Sequence, residues 1–370
     1  MPPADSTSAG IPVALIGFGS AGRLLHAPLI TTTPGLTLAV IGSSQGDLAR
    51  SAYPASEVVA DPLVAVAHPD ADLVVIATPN DTHAPLAEAA LRAGKHVVVD
   101  KPFAVTLAEA RALATFALET GRLLSVFQNR RWDSDFLGVS TAIAAGRIGR
   151  VVELRSEMSR YRPQVRDRWR ERAGSGTGVW YDLGAHLIDQ MLLLFGLPET
   201  VQADLQIQRD GASAVDWFHA TLGCGATRAI LTSSTLAADA PARFLVRGTS
   251  GSLCKRGGDR QEGQLVSGLA PDAPGWGRDP DPLLVFTAEG GPPIELVTPP
   301  GDYPRYYGAI RDAIRHAGPS PVTPLQACTV MAVLESGIRS SETGHVVRLE
   351  WSESERAAWQ PVGTAPLRIR

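Results

Sequence analysis

Five short runs punctuate the first third of the chain, at residues 12–16, 36–41, 73–78, 96–100 and 123–127, and each is apolar at nearly every position. A strand without polar alternation is buried on both faces, the condition of a parallel sheet covered by helices. Helical periodicity fills the gaps. Residues 84–93 form one such pattern, closed by Gly94. Residues 106–120 form another, opened by the capping pair Thr106 and Glu109 and stopped by Gly121. Strands alternating with helices over 11–128 predict an α/β unit built on a doubly wound parallel sheet.

The pattern changes beyond residue 129. A helix is expected over 133–145, a strand over 151–159 and a long helix over 179–195 with Gly196 as its stop. Polar–apolar alternation then recurs at 200–208, 215–222, 226–233 and 243–248. Consecutive alternating strands predict a largely antiparallel open sheet with helices on one face, an α+β domain. Residues 255–300 are dense in Gly, Pro and Asp and show no periodicity; helical patterns follow at 305–317 and 325–343. The expected organisation is a flexible tail over 1–10, the α/β domain over 11–128 and the α+β domain over 129–370.

Composition narrows the function classes. A chain of 370 residues is long enough for two cores. The net charge of −4 provides no basic excess, so neither nucleic acid nor an anionic membrane is an expected partner. Cys224, Cys254 and Cys328 are odd in number and far apart, which argues against a disulfide framework. The first basic side chain is Arg23, so a secretory leader is not expected, and no run reaches the ~20 apolar residues of a membrane helix. These features together predict a cytoplasmic, reduced protein. Only Lys95, Lys101 and Lys255 of the 34 basic residues are lysines, which makes a lysine inside a motif conspicuous.

The first candidate motif is Gly17, Phe18, Gly19, Ser20, Ala21 and Gly22. The spacing alone is weak in a chain with 36 glycines, but it follows the first strand and opens the first helix. There the glycines allow a tight turn and close approach of a pyrophosphate to a helix N-terminus, the dinucleotide site of a Rossmann domain. An NAD enzyme places a carboxylate after the second strand to bind the ribose 2′-OH. This chain has Ser43, Ser44 and Gln45 instead, with Asp47 the nearest acid. The serine hydroxyls and their backbone N–H groups suit a 2′-phosphate, with Arg50 near in sequence, so NADP is expected, NAD remaining possible. Serines that only cap the next helix are the competing reading.

Two further motifs end strands on the side where open α/β sheets bind ligands. They are Thr78, Pro79 and Asn80 with His83, and Asp100, Lys101 and Pro102. Lys101 there could polarise a substrate oxygen, or be a surface lysine paired with Asp100. Asp182 and His186 stand four residues apart and on a helix share one face. Histidine suits proton transfer near neutrality and aspartate can orient it; a helix-surface ion pair explains the spacing equally well. No third ligand has metal-binding spacing, so no metal is expected.

Taken in order, these motifs resemble the glucose–fructose oxidoreductase/inositol dehydrogenase (Gfo/Idh/MocA) family. The resemblance runs from about residue 11 to 343, with Asp100-Lys101-Pro102 where the family usually has Glu-Lys-Pro. Residues 26–29, 127–133, 162–166 and 168–171 are similar to its scyllo-inositol dehydrogenase branch. The resemblance implies a catalytic set of Lys101, Asp182 and His186. It also implies that Trp169 and Arg170 adjoin the nicotinamide, and that Tyr307 on the late helix approaches the cofactor. NADP-using relatives often carry an arginine where Gln45 stands. Residues 160–172 hold six arginines, interrupted by Asp167 and Glu171; the expectation is an active-site wall and domain contact.

The resulting expectation is reversible oxidation of a secondary alcohol on a cyclic polyol or sugar. His186 takes the hydroxyl proton, Lys101 stabilises the oxyanion, and Asp182 orients substrate and histidine. Asn129, Arg130, Trp132, Tyr161, Asp182 and His186 are the expected substrate contacts. A homodimer or homotetramer is expected, as in relatives. Competing readings are a reductase of another sugar or keto-sugar, and a dinucleotide-binding sensor without turnover; the proton-transfer set argues against the sensor.

Overall fold

The structure, a computed structural model, describes residues 10–359; the expected tail over 1–10 lies, but for residue 10, outside them. Six parallel strands form the first sheet: β1 (Ile11–Ile16), β2 (Leu36–Gly42), β3 (Glu57–Val59), β4 (Leu73–Ile76), β5 (His96–Val99) and β6 (Leu124–Val126). Their order is β3-β2-β1-β4-β5-β6. β4 is buried at every position and β1 at all but Pro12, as continuous apolar runs require. The order reverses between β1 and β4, which opens a crevice at their carboxyl ends. The helices are α1 (Ala27–Thr32), α2 (Gly46–Ala52), α3 (Pro62–Val66), α4 (His83–Arg92) and α5 (Leu107–Thr120). The Thr106/Glu109 capping box opens α5, and Gly121 closes it at φ 63°.

Helix α6 (Ser134–Ala144) leads into a nine-stranded sheet made of β7 (Val151–Glu157), β8 (Thr200–Gln206), β9 (Trp217–Cys224), β10 (Thr227–Ser234), β11 (Phe244–Gly248), β12 (Gly251–Lys255), β13 (Leu283–Thr287), β14 (Ile294–Leu296) and β15 (Val347–Arg348). Its order is β14-β13-β12-β11-β7-β10-β9-β8-β15, antiparallel except for β7 beside β10. The remaining helices are α7 (Ala185–Phe195), α8 (Gln261–Val266), α9 (Pro304–His316), α10 (Pro324–Thr343) and α11 (Glu353–Ala357). Helix α10 packs on both β8 and α5, and so bridges the sheets. Trp180 lies in that seam, T-shaped on Phe218 and donating its indole N–H to Leu334 O at 3.0 Å. Arg131 holds Asp189 of α7 through two hydrogen bonds of 2.6 and 2.8 Å, both side chains buried.

Two elements differ from the periodicity-based expectation. The helix expected over 179–195 begins as a π-turn, Trp180–Gly184, before α7 continues it. The first helix likewise opens as a π-turn, Gly22–His26. Each turn spans only five residues, and residues 180–192 are buried at every position but 182, so periodicity has no face pattern by which to reveal the second. Residues 255–300 also carry structure that patterning missed. Lys255 is fully buried there, 3.0 Å from Asp279 and 2.7 Å from Asp281, and a core paired by charge has no hydrophobic signature.

Candidate active site

Beyond β1 the chain turns at Gly17, whose φ is +96° and where a Cβ would stand 2.5 Å from Ala77 O. A Cβ at Gly22 would collide with Gly17 O, whereas the space beside Gly19 is open. These three glycines therefore do different work: two let backbone meet backbone, and one leaves room for a ligand. Gly19 opens on a cleft between the two domains. Gly17, Phe18, Ser20 and Ala21 line it with Thr78 and Pro79 from the end of β4, and Trp169 and Arg170 from the second domain. Its far wall is Ser43, Ser44 and Gln45 with Ala60 and Pro62. The last two went unrecognised in the sequence because the third strand has only three residues. An elongated cleft with an empty glycine position at a helix start fits a dinucleotide.

The two serines are not equivalent. Ser43 is buried; its N–H donates to Val59 O and its Oγ accepts from Gln45 N, each at 2.9 Å. The expected free backbone N–H at Ser43 is thus already used, and its hydroxyl closes a turn onto Gln45 rather than capping α2, which has no side-chain cap. Ser44 is exposed on the cleft. Arg50 pairs at 3.8 Å with Asp47, both exposed, and does not line the cleft.

Four residues expected at the cofactor stand behind the cleft instead. His83 is fully buried, its ring nitrogens 2.8 Å from Pro102 O and 3.0 Å from Thr78 O, so it joins the ends of β4 and β5. Asn80 donates to Gly176 O at 2.6 Å and ties the domains together. Tyr307 is buried against Phe127, its hydroxyl 2.6 Å from His26 Nδ1. Asp100 is buried, accepts from Lys101 N–H at 2.8 Å and lies 3.9 Å from His26 Nε2. Burial works against its charge, but His26, then Lys101 and His83, pull its carboxyl down to about 2.

Lys101 reaches across the domain boundary. Its Nζ donates to Asp182 Oδ1 at 2.7 Å and to Asp182 O at 2.8 Å. An ammonium has three donors, so these bonds leave one for an incoming oxygen. Burial opposes the charge of Asp182, yet Lys101 and Arg170 outweigh it and hold the carboxyl well below the usual range. His186 is 4% exposed; burial, then Lys101 and Arg130, hold its imidazole neutral well below the usual range. Its Nδ1 is buried without a partner. Asp182 makes no hydrogen bond to His186 among the described residues, which corrects the expected orienting role. The π-turn, a feature often found at functional sites, takes more residues per turn than an α-helix, so residues four apart no longer stack, and Asp182 bonds Lys101 instead.

The expected substrate contacts divide. Arg130 lies beside His186 in the electrostatic sense but pairs with Asp133 at 3.3 Å and Glu262 at 2.8 Å. Asn129 is buried one residue before it. Trp132 belongs to the core, 2% exposed and T-shaped on Tyr306, so it offers no open face. Tyr161 is 59% exposed and lines neither the cofactor cleft nor the adjacent arginine pocket. Sequence reading missed Arg243, which acts on His186 and bonds Gln190, and Tyr303, whose hydroxyl donates to the Asp133 carboxylate that pairs with Arg130.

Comparison with known proteins agrees with this architecture. The Gfo/Idh/MocA model described as an oxidoreductase family NAD-binding Rossmann fold matches residues 11–128, and the one described as its C-terminal alpha/beta domain matches 141–349. The uncharacterized oxidoreductase YdgJ of Escherichia coli is 50% identical over 337 residues, covering 90% of this chain and 97% of that protein. The scyllo-inositol 2-dehydrogenase (NADP(+)) IolW of Bacillus subtilis is 36% identical over 344 residues, covering 92% and 96%. A crystal structure assigned as an oxidoreductase from Klebsiella pneumoniae superposes with a TM-score of 0.89 at 47% identity, covering 95% of this chain and 98% of that one. A nucleotide cleft of Rossmann type, a lysine and carboxylate joined across two domains, and these matches along both of them make the chain a member of the Gfo/Idh/MocA oxidoreductase family.

Proposed function

We propose that the chain interconverts a secondary alcohol and a ketone on a cyclic polyol or sugar, with NADP(H) preferred. The observation that carries this reading is the Lys101–Asp182 contact at 2.7 Å beside a buried, neutral His186. The nicotinamide supplies the hydride acceptor, and Gly17 to Ala21, Thr78, Pro79, Trp169 and Arg170 would hold the dinucleotide. The protein's part is to bind and to move one proton. The substrate hydroxyl sits against the third donor of Lys101 Nζ, which stabilises negative charge as it develops on oxygen. Its proton passes to the His186 imidazole, which burial keeps neutral and able to accept. Asp182 holds Lys101 in place. The NADP preference is supported by the absence of a carboxylate after β2 and by the exposed Ser44 on the cleft wall.

A homodimer or homotetramer is part of the same reading. The outer face of the nine-stranded sheet presents Ile230, Leu245, Cys254 and Leu284 in register on neighbouring strands around Arg155, and light scattering measures the state. The catalytic reading is tested by the absorbance change at 340 nm with inositols and pyranoses, each with NADP and NAD. Oxidation of an acyclic 2-hydroxy acid with no ring compound active would refute it.

A further inference from the structure

The arginine run of residues 160–172 folds into a second, narrower pocket that shares Asp182 and Arg170 with the site above. Arg160 and Arg162 project from one side of an extended segment whose N–H groups donate to Ser234 O at 2.9 Å and Thr235 O at 2.7 Å. Arg168 and Arg209 line the same pocket. The charges there do not balance. Arg209 is paired with Asp216 at 2.9 Å and Glu171 at 3.1 Å, and Arg168 with Glu171 at 2.6 Å. Those two arginines and two carboxylates close on each other. Asp182 gives its short contact to Lys101, while Arg160 and Arg170 stand 3.8 Å away. Arg162 has no carboxylate within 4.0 Å among the described residues. Lys101, Arg160 and Arg170 thus share the one carboxylate of Asp182, and Arg162 adds a further cation with no carboxylate of its own, Glu171 acting on it only from a distance.

Polar satisfaction is incomplete as well. Arg160 Nε and Thr235 Oγ1 are buried and unpartnered at this pocket, and buried unmet donors are costly. Burial, then Arg160, Arg166 and Arg168, push the Arg162 guanidinium below its ordinary value, as expected of cations crowded together. An oxidised nicotinamide would add further positive charge nearby. A neutral polyol hydroxyl cannot offset this field. A carboxylate or phosphate can, by accepting from the guanidinium forks and from the threonine hydroxyl.

We infer that this pocket is an anion subsite and that the ring substrate carries a carboxylate or phosphate group bound by Arg160 and Arg162. The inference rests on the ring-alcohol reading of the adjoining site. Its test compares glucose with glucuronate and glucose 6-phosphate, and myo-inositol with its monophosphate, in the wild type, Arg162→Gln and Arg162→Lys. The expected result is kcat/KM at least tenfold higher for an acidic member than for its neutral parent. Arg162→Gln collapses that ratio, mainly through KM, and Arg162→Lys restores part of it. Calorimetry of the enzyme–NADPH complex with the same acids reads binding without turnover. Acids that bind there and lose affinity in Arg162→Gln, while no ring compound is turned over, support the subsite and defeat only the ring-alcohol reading. Acidic members no better than neutral ones, an Arg162→Gln effect equal on both, an equal loss of NADPH affinity, or binding of inorganic phosphate alone would each overturn the inference.

Discussion

Replacing Gly19 by alanine should separate cofactor binding from folding. Gly19 is not in the left-handed region, and a Cβ there meets nothing within 4 Å. The protein itself therefore tolerates the methyl, at a cost within ~0.5 kcal/mol. The open space is the ligand's side of the turn, so the methyl pushes the pyrophosphate away from the backbone N–H groups. One lost hydrogen bond to a charged group is worth ~1.5–3 kcal/mol, and a tenfold change in Kd is ~1.4 kcal/mol. NADPH binding should weaken by roughly 10–100-fold with melting unchanged. Gly22→Ala is the contrast, because its Cβ would strike Gly17 O inside the turn. Backbone cannot step aside as a side chain can, so that variant should lose ~1–3 kcal/mol or more of stability. NADPH fluorescence titration and thermal denaturation of both variants decide the matter. Unchanged affinity in Gly19→Ala, or equal melting losses in the two, would refute the assignment of the cleft.

Other consequences can be measured independently. His186→Ala should lower turnover by ~10²–10⁴ with NADPH affinity nearly intact; near-normal turnover removes the proposed base. Because the His186 pKa is lowered, the imidazole stays neutral through pH 6.5 and the acid limb of kcat/KM for oxidation should lie below that value; a limb centred above pH 7 contradicts it. Ser44→Asp should turn a preference for NADPH into one for NADH, since a carboxylate repels the 2′-phosphate and accepts from the 2′-OH; relative Kd values for the two reduced cofactors check this. Asp100, with its carboxyl pulled from 3.8 down to about 2, stabilises the fold fully above its unfolded value, and that contribution is lost as pH falls towards 2. Asp100→Asn should cost on the order of 2 kcal/mol at pH 7 and clearly less at pH 3. Denaturant unfolding at the two pH values tests it, and an equal cost at both would show that the charge contributes nothing.

Much of this protein was written into local order along the chain. Apolar runs at β1, β4 and β5 specify a parallel sheet because a fully buried strand tolerates no polar alternation. Glycine is required where backbone crosses backbone, so the turn at Gly17 and Gly22 marks the cofactor end of that sheet before any coordinates are known. Lys101 and the pair Asp182 and His186 were likewise identifiable by type and position. Tertiary structure alone decided how those groups meet. A π-turn hidden in an almost fully buried segment leaves Asp182 bonded not to His186 but to Lys101, 81 residues away in sequence. Burial separated His83, Tyr307 and Trp132 from the ligands expected of them, because residue type does not tell whether a ring packs or binds. The arginine run is the sharpest case. As sequence it is six cations with two acids among them, and its net effect depends on which pairs close. Asp216, 44 residues beyond the run, shares Arg209 with Glu171, Glu171 also holds Arg168, and no acid lies within 4.0 Å of Arg162 among the described residues. Charge balance in a folded site is set by distances of a few ångströms between side chains far apart in the chain, and composition does not record those distances.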